Sequence, residues 1–152
     1  MIDDDVKVDE LISDIADDLK MIVTNKEIDF TCEIKQVPVI KGNEVLLYRA
    51  IYNVVENAIK YTQSQVTVTT SCNYCNYKIE IQVSDFGGGI AEKEIENIFE
   101  PFYRIKNYVQ QKGLGLGLNF TKSAITIHGR KINLNSEIGK GTVFNIEIST
   151  IQ

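Results

Sequence analysis

A chain of 152 residues, 43% apolar and 24% charged, has the size and composition of one soluble globular domain, which excludes disordered and fibrous proteins. Its formal net charge of −5 argues against a nucleic-acid binder, whose surface would carry a basic stripe. Its apolar runs are shorter than the roughly 20 residues of a membrane span, and the start Met-Ile-Asp-Asp-Asp does not resemble a signal peptide, so we expect a cytoplasmic location.

The first part of the chain predicts a helix, two short strands and a second helix. Apolar residues recur every three or four positions, which predicts an amphipathic helix over about 9–26. Weak alternation over 28–35 and a short apolar run over 37–40 predict two strands, the second at a sheet edge because it contains a proline. Asn43 is expected to cap a second helix that ends near Tyr61.

This second helix combines an ordinary apolar face with an unusual polar one. At 100° per residue its apolar positions form a stripe wide enough to pack on a sheet. The opposite side carries Arg49, Asn53, Glu56, Asn57 and Lys60. Asparagine is a poor helix former, so two carboxamides one turn apart suggest a function. Their oxygens suit Mg²⁺ and a lysine suits phosphate, although a solvated face is the alternative.

Two hairpins are predicted in the rest of the chain. The β-branched segment 65–71 and the alternating segment 77–83 form the first, and 131–136 with 142–149 form the second. Strands paired in antiparallel fashion and mixed with helices predict an α+β fold, with helices on one face of a sheet.

Glycine-rich segments separate these hairpins. We expect a loop over 84–90, a short helix within 91–99, an irregular segment over 102–112, and a glycine-rich turn that leads into a last helix. One face of that helix is predicted to carry Leu116, Phe120, Ala124 and Ile127.

Three cysteines are expected to be free thiols in a reducing compartment. Cys72 and Cys75 have the spacing of a redox pair or of half a zinc site, but a zinc site would need Cys32 and His128 as well. The alternative is that the pair belongs to the turn of the first hairpin.

The glycines before the last helix favour an anion at the helix N-terminus. Their spacing matches neither G-x-G-x-x-G nor the P-loop. Asp85-Phe86-Gly87 looks like the magnesium-binding motif of protein kinases, but the companion motifs of that fold are missing.

Four motifs in this order resemble the ATP-binding catalytic domain of sensor histidine kinases, over nearly the whole chain. They are Asn53…Asn57…Lys60-Tyr61, then Asp85-x-Gly87-x-Gly89-Ile90, then Phe99-Glu-Pro-Phe102-Tyr-Arg104, then Gly113-x-Gly115-Leu116-Gly117-Leu118. The resemblance implies the Bergerat fold, a two-layer α/β sandwich in which a mixed five-stranded sheet carries three helices on one face. It implies one domain over 1–152, with an ATP lid at about 91–112.

The resemblance also implies ATP and Mg²⁺ as ligands. Asp85 would accept a hydrogen bond from the adenine amino group, and Asn57 would ligate Mg²⁺ with Asn53 as a second candidate. The implied catalytic residues are Asn53, Glu56 and Lys60. The implied nucleotide-binding residues are Asn53, Asn57, Lys60, Tyr61, Asp85, Gly87, Gly89, Ile90, Phe102, Arg104, Lys112, Gly113, Leu114, Gly115, Leu116 and Gly117.

Asn53 indicates which reaction to expect. Related ATPases carry a glutamate there to activate water, and a carboxamide cannot act as a general base. ATP is therefore expected to serve another nucleophile, a histidine on a dimerisation domain that we expect to be separate from this chain. Without that domain the chain should not label itself. The resemblance further implies a response regulator as an indirect partner, a monomeric fragment of a homodimeric protein, and a cytoplasmic position even in a membrane-bound sensor.

Two other functions remain open. Leu114 stands where the family usually has threonine or serine, which would fit a nucleotide-binding module without catalysis. An anti-sigma-type serine kinase would share the same fold.

Overall fold

The computed structural model describes residues 4–62, 64–73, 78–101 and 117–149. Within them the chain forms four helices and seven strands. The helices are α1 (Val8–Lys26), α2 (Glu44–Tyr61), α3 (Glu92–Ile95) and α4 (Gly117–Ile127). The strands are β1 (Asp4–Val6), β2 (Asp29–Ile34), β3 (Ile40–Gly42), β4 (Gln65–Asn73), β5 (Lys78–Asp85), β6 (Lys131–Glu137) and β7 (Gly141–Ser149).

Five of the strands form one mixed sheet in the order β2-β4-β5-β7-β6. β2 pairs parallel with β4, and the other neighbours are antiparallel. The sheet contains both predicted hairpins, β4–β5 and β6–β7. The predicted α+β fold, with a mixed five-stranded sheet and helices, is therefore confirmed.

The core lies between the sheet and the helices. Strand β5 shows the reason, because its side chains alternate between half-buried and buried, with Ile79, Ile81, Val83 and Asp85 facing inward. The apolar stripe of α2 is buried against this face as predicted. No helix among the described residues is long and apolar enough to cross a membrane.

Helix α2 begins as its sequence predicts. The Asn43 side-chain oxygen accepts a hydrogen bond from the Leu46 N–H at 3.0 Å, which is the expected N-cap. Lys26 stabilises the other end, where its Nζ donates to the carbonyl oxygens of Ile59 and Lys60, each at 2.6 Å. A cation on the last carbonyls also offsets the negative end of the helix dipole.

The predicted strand boundaries are wrong in two places. The strand expected at 37–40 is Ile40–Gly42, and it pairs with Asp4–Val6, which the sequence did not predict as a strand. Three residues carry too little alternation to be recognised without their partner. The loop expected from Ser84 starts later, since Ser84 and Asp85 complete β5 against β7.

The predicted apolar face of the last helix is also wrong. Phe120 is 36% exposed and Ile127 is 61% exposed, whereas the buried residues are Thr121, Ala124 and Ile125. Ala124 belongs both to the predicted apolar row and to the row that is buried. Packing against α2 buries the row that contains Thr121. Leu116, the first member of the predicted row, lies outside the described residues.

Candidate nucleotide site

The polar face of α2 is the centre of the candidate site. Asn53, Glu56, Asn57 and Lys60 are all half-buried rather than solvated. Glu56 and Lys60 form an ion pair one turn apart, with Oε1 and Nζ 3.4 Å from each other. Four partly buried polar side chains on one helix face make this face the wall of a candidate cleft.

The start of α4 adjoins the Asn53 end of this candidate cleft. Asn53 Nδ2 donates a hydrogen bond to the Gly117 carbonyl oxygen at 3.1 Å. Because a carbonyl can only accept, this contact fixes which end of the carboxamide faces α4. Its oxygen is then directed away from α4, which suits a hard cation such as Mg²⁺.

Asp85 lies at the end of β5, beside the C-terminal end of α2. It is only 7% exposed, and Oδ1 accepts a hydrogen bond from the Gly87 N–H at 2.9 Å. Burial raises the pKa of this carboxyl, while the backbone N–H groups of Gly87 and Thr142 act to lower it. An ionised carboxylate has about four acceptor positions, so Asp85 retains acceptor capacity for a ligand.

The loop after Asp85 is held by backbone packing. A Cβ on Gly87 would lie 2.6 Å from the Tyr61 carbonyl oxygen, so the loop touches the last turn of α2. Gly89 has φ +77°, and a Cβ there would collide with the Glu137 carbonyl. Both glycines are thus required by contacts within the chain itself. The sequence motif had suggested contact with a nucleotide as the reason.

Hydroxyl groups of the second hairpin fasten the same loop, and sequence analysis did not identify them. Ser136 Oγ accepts a hydrogen bond from the Ile90 N–H at 2.7 Å and lies 2.7 Å from Thr142 Oγ1. Alternation placed both residues in a hairpin, but no sequence signal linked that hairpin to residue 90.

Phe99 lies within the expected lid and packs against the core. Its ring meets Phe144 edge-on at 6.4 Å between centroids, and Lys122 Nζ lies 5.3 Å from its centre. Asn119 Nδ2 donates to the Phe99 carbonyl oxygen at 3.1 Å. Phe99 therefore has a core packing role. The remaining predicted lid and glycine-turn residues lie outside the described residues, namely Phe102, Arg104, Lys112, Gly113, Leu114, Gly115 and Leu116.

Two of the three cysteines lie among the described residues, and both pack against the core. Cys32 and Cys72 are half-buried free thiols, and burial raises the pKa of Cys32 to about 11. Cys75 lies outside the described residues. Among the residues described, no three His, Cys, Asp or Glu side chains group as metal ligands would.

His128 bridges two helix ends. It is 8% exposed; Nδ1 lies 2.8 Å from the Ala124 carbonyl oxygen, and Nε2 accepts the Asn43 N–H at 2.8 Å. These partners require the neutral ring with its proton on Nδ1. Both nitrogens are engaged, so the ring joins the end of α4 to the start of α2.

Two elements thus meet α2: the start of α4 places Gly117 beside Asn53, and the loop after β5 places Gly87 beside Tyr61. The stretch from Asn53 to Tyr61 spans about 12 Å of helix, a length over which a nucleotide can place its base and phosphates at opposite ends. Residues 42–151 match the family described as histidine kinase-, DNA gyrase B-, and HSP90-like ATPase.

The chain belongs to this family. Within it, the chain is the ATP-binding catalytic domain of a two-component sensor histidine kinase. It is 35% identical over 147 residues to the sensor-like histidine kinase SenX3 of Mycolicibacterium smegmatis, covering 95% of this chain and 38% of that protein. The chain therefore spans little more than a third of the length of this curated relative.

Solved structures agree with this kinase fold. The catalytic domain of histidine kinase ThkA superposes with a TM-score of 0.85 at 27% identity, covering 99% of this chain and 97% of that one. Full-length ShkA in complex with AMPPNP superposes with a TM-score of 0.83 at 25% identity, covering 95% of this chain and 30% of that one. ThkA is also known in complex with the response regulator protein TrrA.

Proposed function

We propose that this catalytic domain binds ATP with Mg²⁺ along α2 and donates the γ-phosphoryl group to a histidine outside these 152 residues. The observation that carries the proposal is the carboxamide of Asn53, whose Nδ2 donates a hydrogen bond to the Gly117 carbonyl oxygen at the start of α4. Its oxygen can bind a cation, but the group cannot take a proton from water. The site is thus suited to holding ATP rather than to hydrolysing it.

Adenine is assigned to the Asp85 end of the cleft. The carboxylate is buried with acceptor capacity remaining, and the adenine amino group supplies a donor. Guanine presents a carbonyl oxygen at the corresponding position, and two acceptors would face each other. The superposed ShkA structure contains AMPPNP, an adenine nucleotide, which supports this class of ligand.

The triphosphate is assigned to the Asn53 end. Asn57 and Asn53 would hold Mg²⁺ through their side-chain oxygens, and Lys60 would contact a phosphate after exchanging part of its pairing with Glu56. The metal would neutralise phosphate charge there. Gly117 and the residues before it would bring backbone N–H groups of the α4 N-terminus to the same phosphates.

Phosphoryl donation needs an acceptor that this chain lacks. His128 is the single histidine of the sequence, and it is buried with both ring nitrogens engaged. Glu56, the nearest carboxylate on the polar face, is paired with Lys60. We therefore assign the acceptor histidine to a separate dimerisation domain, and the onward transfer to a response regulator of the kind found with ThkA.

Calorimetric titration tests the binding part. We expect ATP to bind more tightly with magnesium than with EDTA, and more tightly than GTP. Asn57→Ala should lose at least about tenfold in Mg-ATP affinity, equivalent to about 1.4 kcal/mol. Arg49→Ala is the matched control, since Arg49 is exposed on the same helix two turns earlier. Unchanged affinity in Asn57→Ala would remove the metal assignment.

Labelling with γ-³²P-ATP tests the donor part. The chain alone should acquire no acid-labile label, and a purified cognate dimerisation domain added to it should become labelled. Phosphoryl transfer depends on positioning the nucleophile in line, so release of phosphate to water should be slow. Self-labelling that disappears in His128→Ala would show that the acceptor has been assigned wrongly.

A further inference from the structure

Thr121 is a buried hydroxyl at the junction of α2 and α4. Its side chain is fully buried, at 0% exposure. Its Oγ1 lies 2.8 Å from the Ala50 carbonyl oxygen and 3.0 Å from the Gly117 carbonyl oxygen. The family motifs in the sequence do not include this residue.

The hydroxyl has one hydrogen to donate, and the acceptors decide where it goes. In a helix that begins at Gly117, the Gly117 carbonyl receives the N–H of Thr121 four residues later. The same carbonyl also accepts from Asn53 Nδ2 at 3.1 Å, so its two lone pairs are engaged. The hydroxyl hydrogen is therefore assigned to Ala50, which makes the contact a bond between the two helices.

This bond holds the Gly117 carbonyl in position. Ala50 lies one turn before Asn53 on α2, and Gly117 lies one turn before Thr121 on α4. A bond from Thr121 to Ala50 therefore sets the distance between the two turns that carry Gly117 and Asn53. The Thr121–Ala50 bond thereby keeps the Gly117 carbonyl oxygen within hydrogen-bond distance of Asn53 Nδ2.

We propose that Thr121 is a positioning residue for Asn53, so that the Asn53 oxygen rather than its NH₂ group faces the metal and phosphates. The inference rests on the proposed function, because it concerns the magnesium end of that site. Without the Gly117 acceptor, the carboxamide would rotate between two orientations. Only one of them presents an oxygen, so the contribution of Asn53 to cation binding would fall.

Three variants separate positioning from packing. Thr121→Val keeps the shape and removes the hydroxyl, and Thr121→Ser keeps the hydroxyl and removes a methyl group. Thr126→Val is the matched control: Thr126 Oγ1 donates to the Lys122 carbonyl at 2.7 Å on the same helix, but this residue is exposed. Circular dichroism during urea unfolding establishes that each variant folds.

Two readouts then follow Asn53. The first is the ratio of ATP affinity with magnesium to that with EDTA. Thr121→Val should lower this ratio by about fivefold, the equivalent of one hydrogen bond, while Thr121→Ser and Thr126→Val keep it. The second is the NMR chemical shift of the two Asn53 Nδ2 protons, recorded without nucleotide. In Thr121→Val alone, the proton that donates to the Gly117 carbonyl should lose the part of its shift that this hydrogen bond causes.

A double-mutant cycle with Asn53→Ala completes the test. If Thr121 acts through Asn53, Thr121→Val should have no further effect on the magnesium ratio when Asn53 is alanine. A wild-type ratio in folded Thr121→Val, with a lowered ratio in Asn53→Ala, would overturn this inference and leave the proposed function intact. A wild-type chain that binds ATP equally with and without magnesium would overturn both.

Discussion

Asp85 should show opposite requirements for stability and for nucleotide binding. Its carboxyl is 7% exposed, and burial raises its pKa above the usual value of 3.8. The folded chain therefore holds this proton more tightly than the unfolded chain. Stability from this group is present below about pH 4 and is lost as the pH rises through the folded-state pKa. At neutral pH the buried carboxylate is charged, and this charge lowers the free energy of unfolding.

Asp85→Asn removes that charge and keeps an acceptor for the Gly87 N–H. We expect its free energy of unfolding at pH 7 to equal or exceed that of the wild type, with the difference shrinking as the pH falls toward 4. Asp85→Ala leaves the Gly87 N–H without its side-chain acceptor, at about 1–3 kcal/mol, and should be clearly less stable.

Nucleotide binding should respond in the other direction. The NH₂ group that Asp85→Asn introduces would meet the adenine amino group donor to donor. Losing a hydrogen bond to a charged acceptor costs about 1.5–3 kcal/mol, which corresponds to about a 10- to 150-fold weaker ATP affinity. Wild-type affinity should also fall as the pH drops through the raised pKa of Asp85, because the carboxylate is the acceptor.

Urea unfolding measures the stability of each variant, and calorimetric titration measures its ATP affinity. Unfolding is followed by circular dichroism because the chain has no tryptophan for fluorescence. Glu80→Gln is the control, since Glu80 lies on the opposite face of β5 and is half-buried. ATP affinity in Asp85→Asn within about threefold of the wild type would refute the role in base recognition. Stability of Asp85→Asn as low as that of Asp85→Ala would refute the argument from buried charge.

Three further measurements test the surroundings of Gly87, His128 and Cys32. Gly87→Ala should lower the thermal midpoint, because its Cβ would lie 2.6 Å from a backbone carbonyl, whereas Gly117→Ala meets neighbours no closer than 3.6 Å and should not; equal midpoints would contradict this. His128→Phe should cost about 1–3 kcal/mol in urea unfolding, because the Asn43 N–H loses its acceptor; an unchanged free energy would show that the contact is dispensable. Cys32 should react slowly with thiol reagents at pH 8, since burial raises its pKa to about 11; rapid labelling in the folded chain, followed by mass spectrometry, would disagree.

Local patterns were sufficient for the elements that carry the site. The apolar stripe of α2, its Asn43 cap and the two hairpins appear in the structure as the sequence predicts. Each depends on residues within one or two turns, or on strands joined by a short connection, so their signal lies within a short window of sequence. The four motifs also identified the family, because their residue types and order are read directly from the chain.

Tertiary contacts decided how the site residues are held. Asn53 meets Gly117 across 64 positions, and His128 meets Asn43 across 85. Lys26 reaches the end of α2 from another helix, and Ser136 holds the loop at Ile90 from another hairpin. None of these partners lies within the window over which periodicity can be read. The sequence by itself therefore determined which groups the cleft offers, and the folded chain determined their orientation, because a hydrogen bond depends on distance and angle between atoms that only packing brings together.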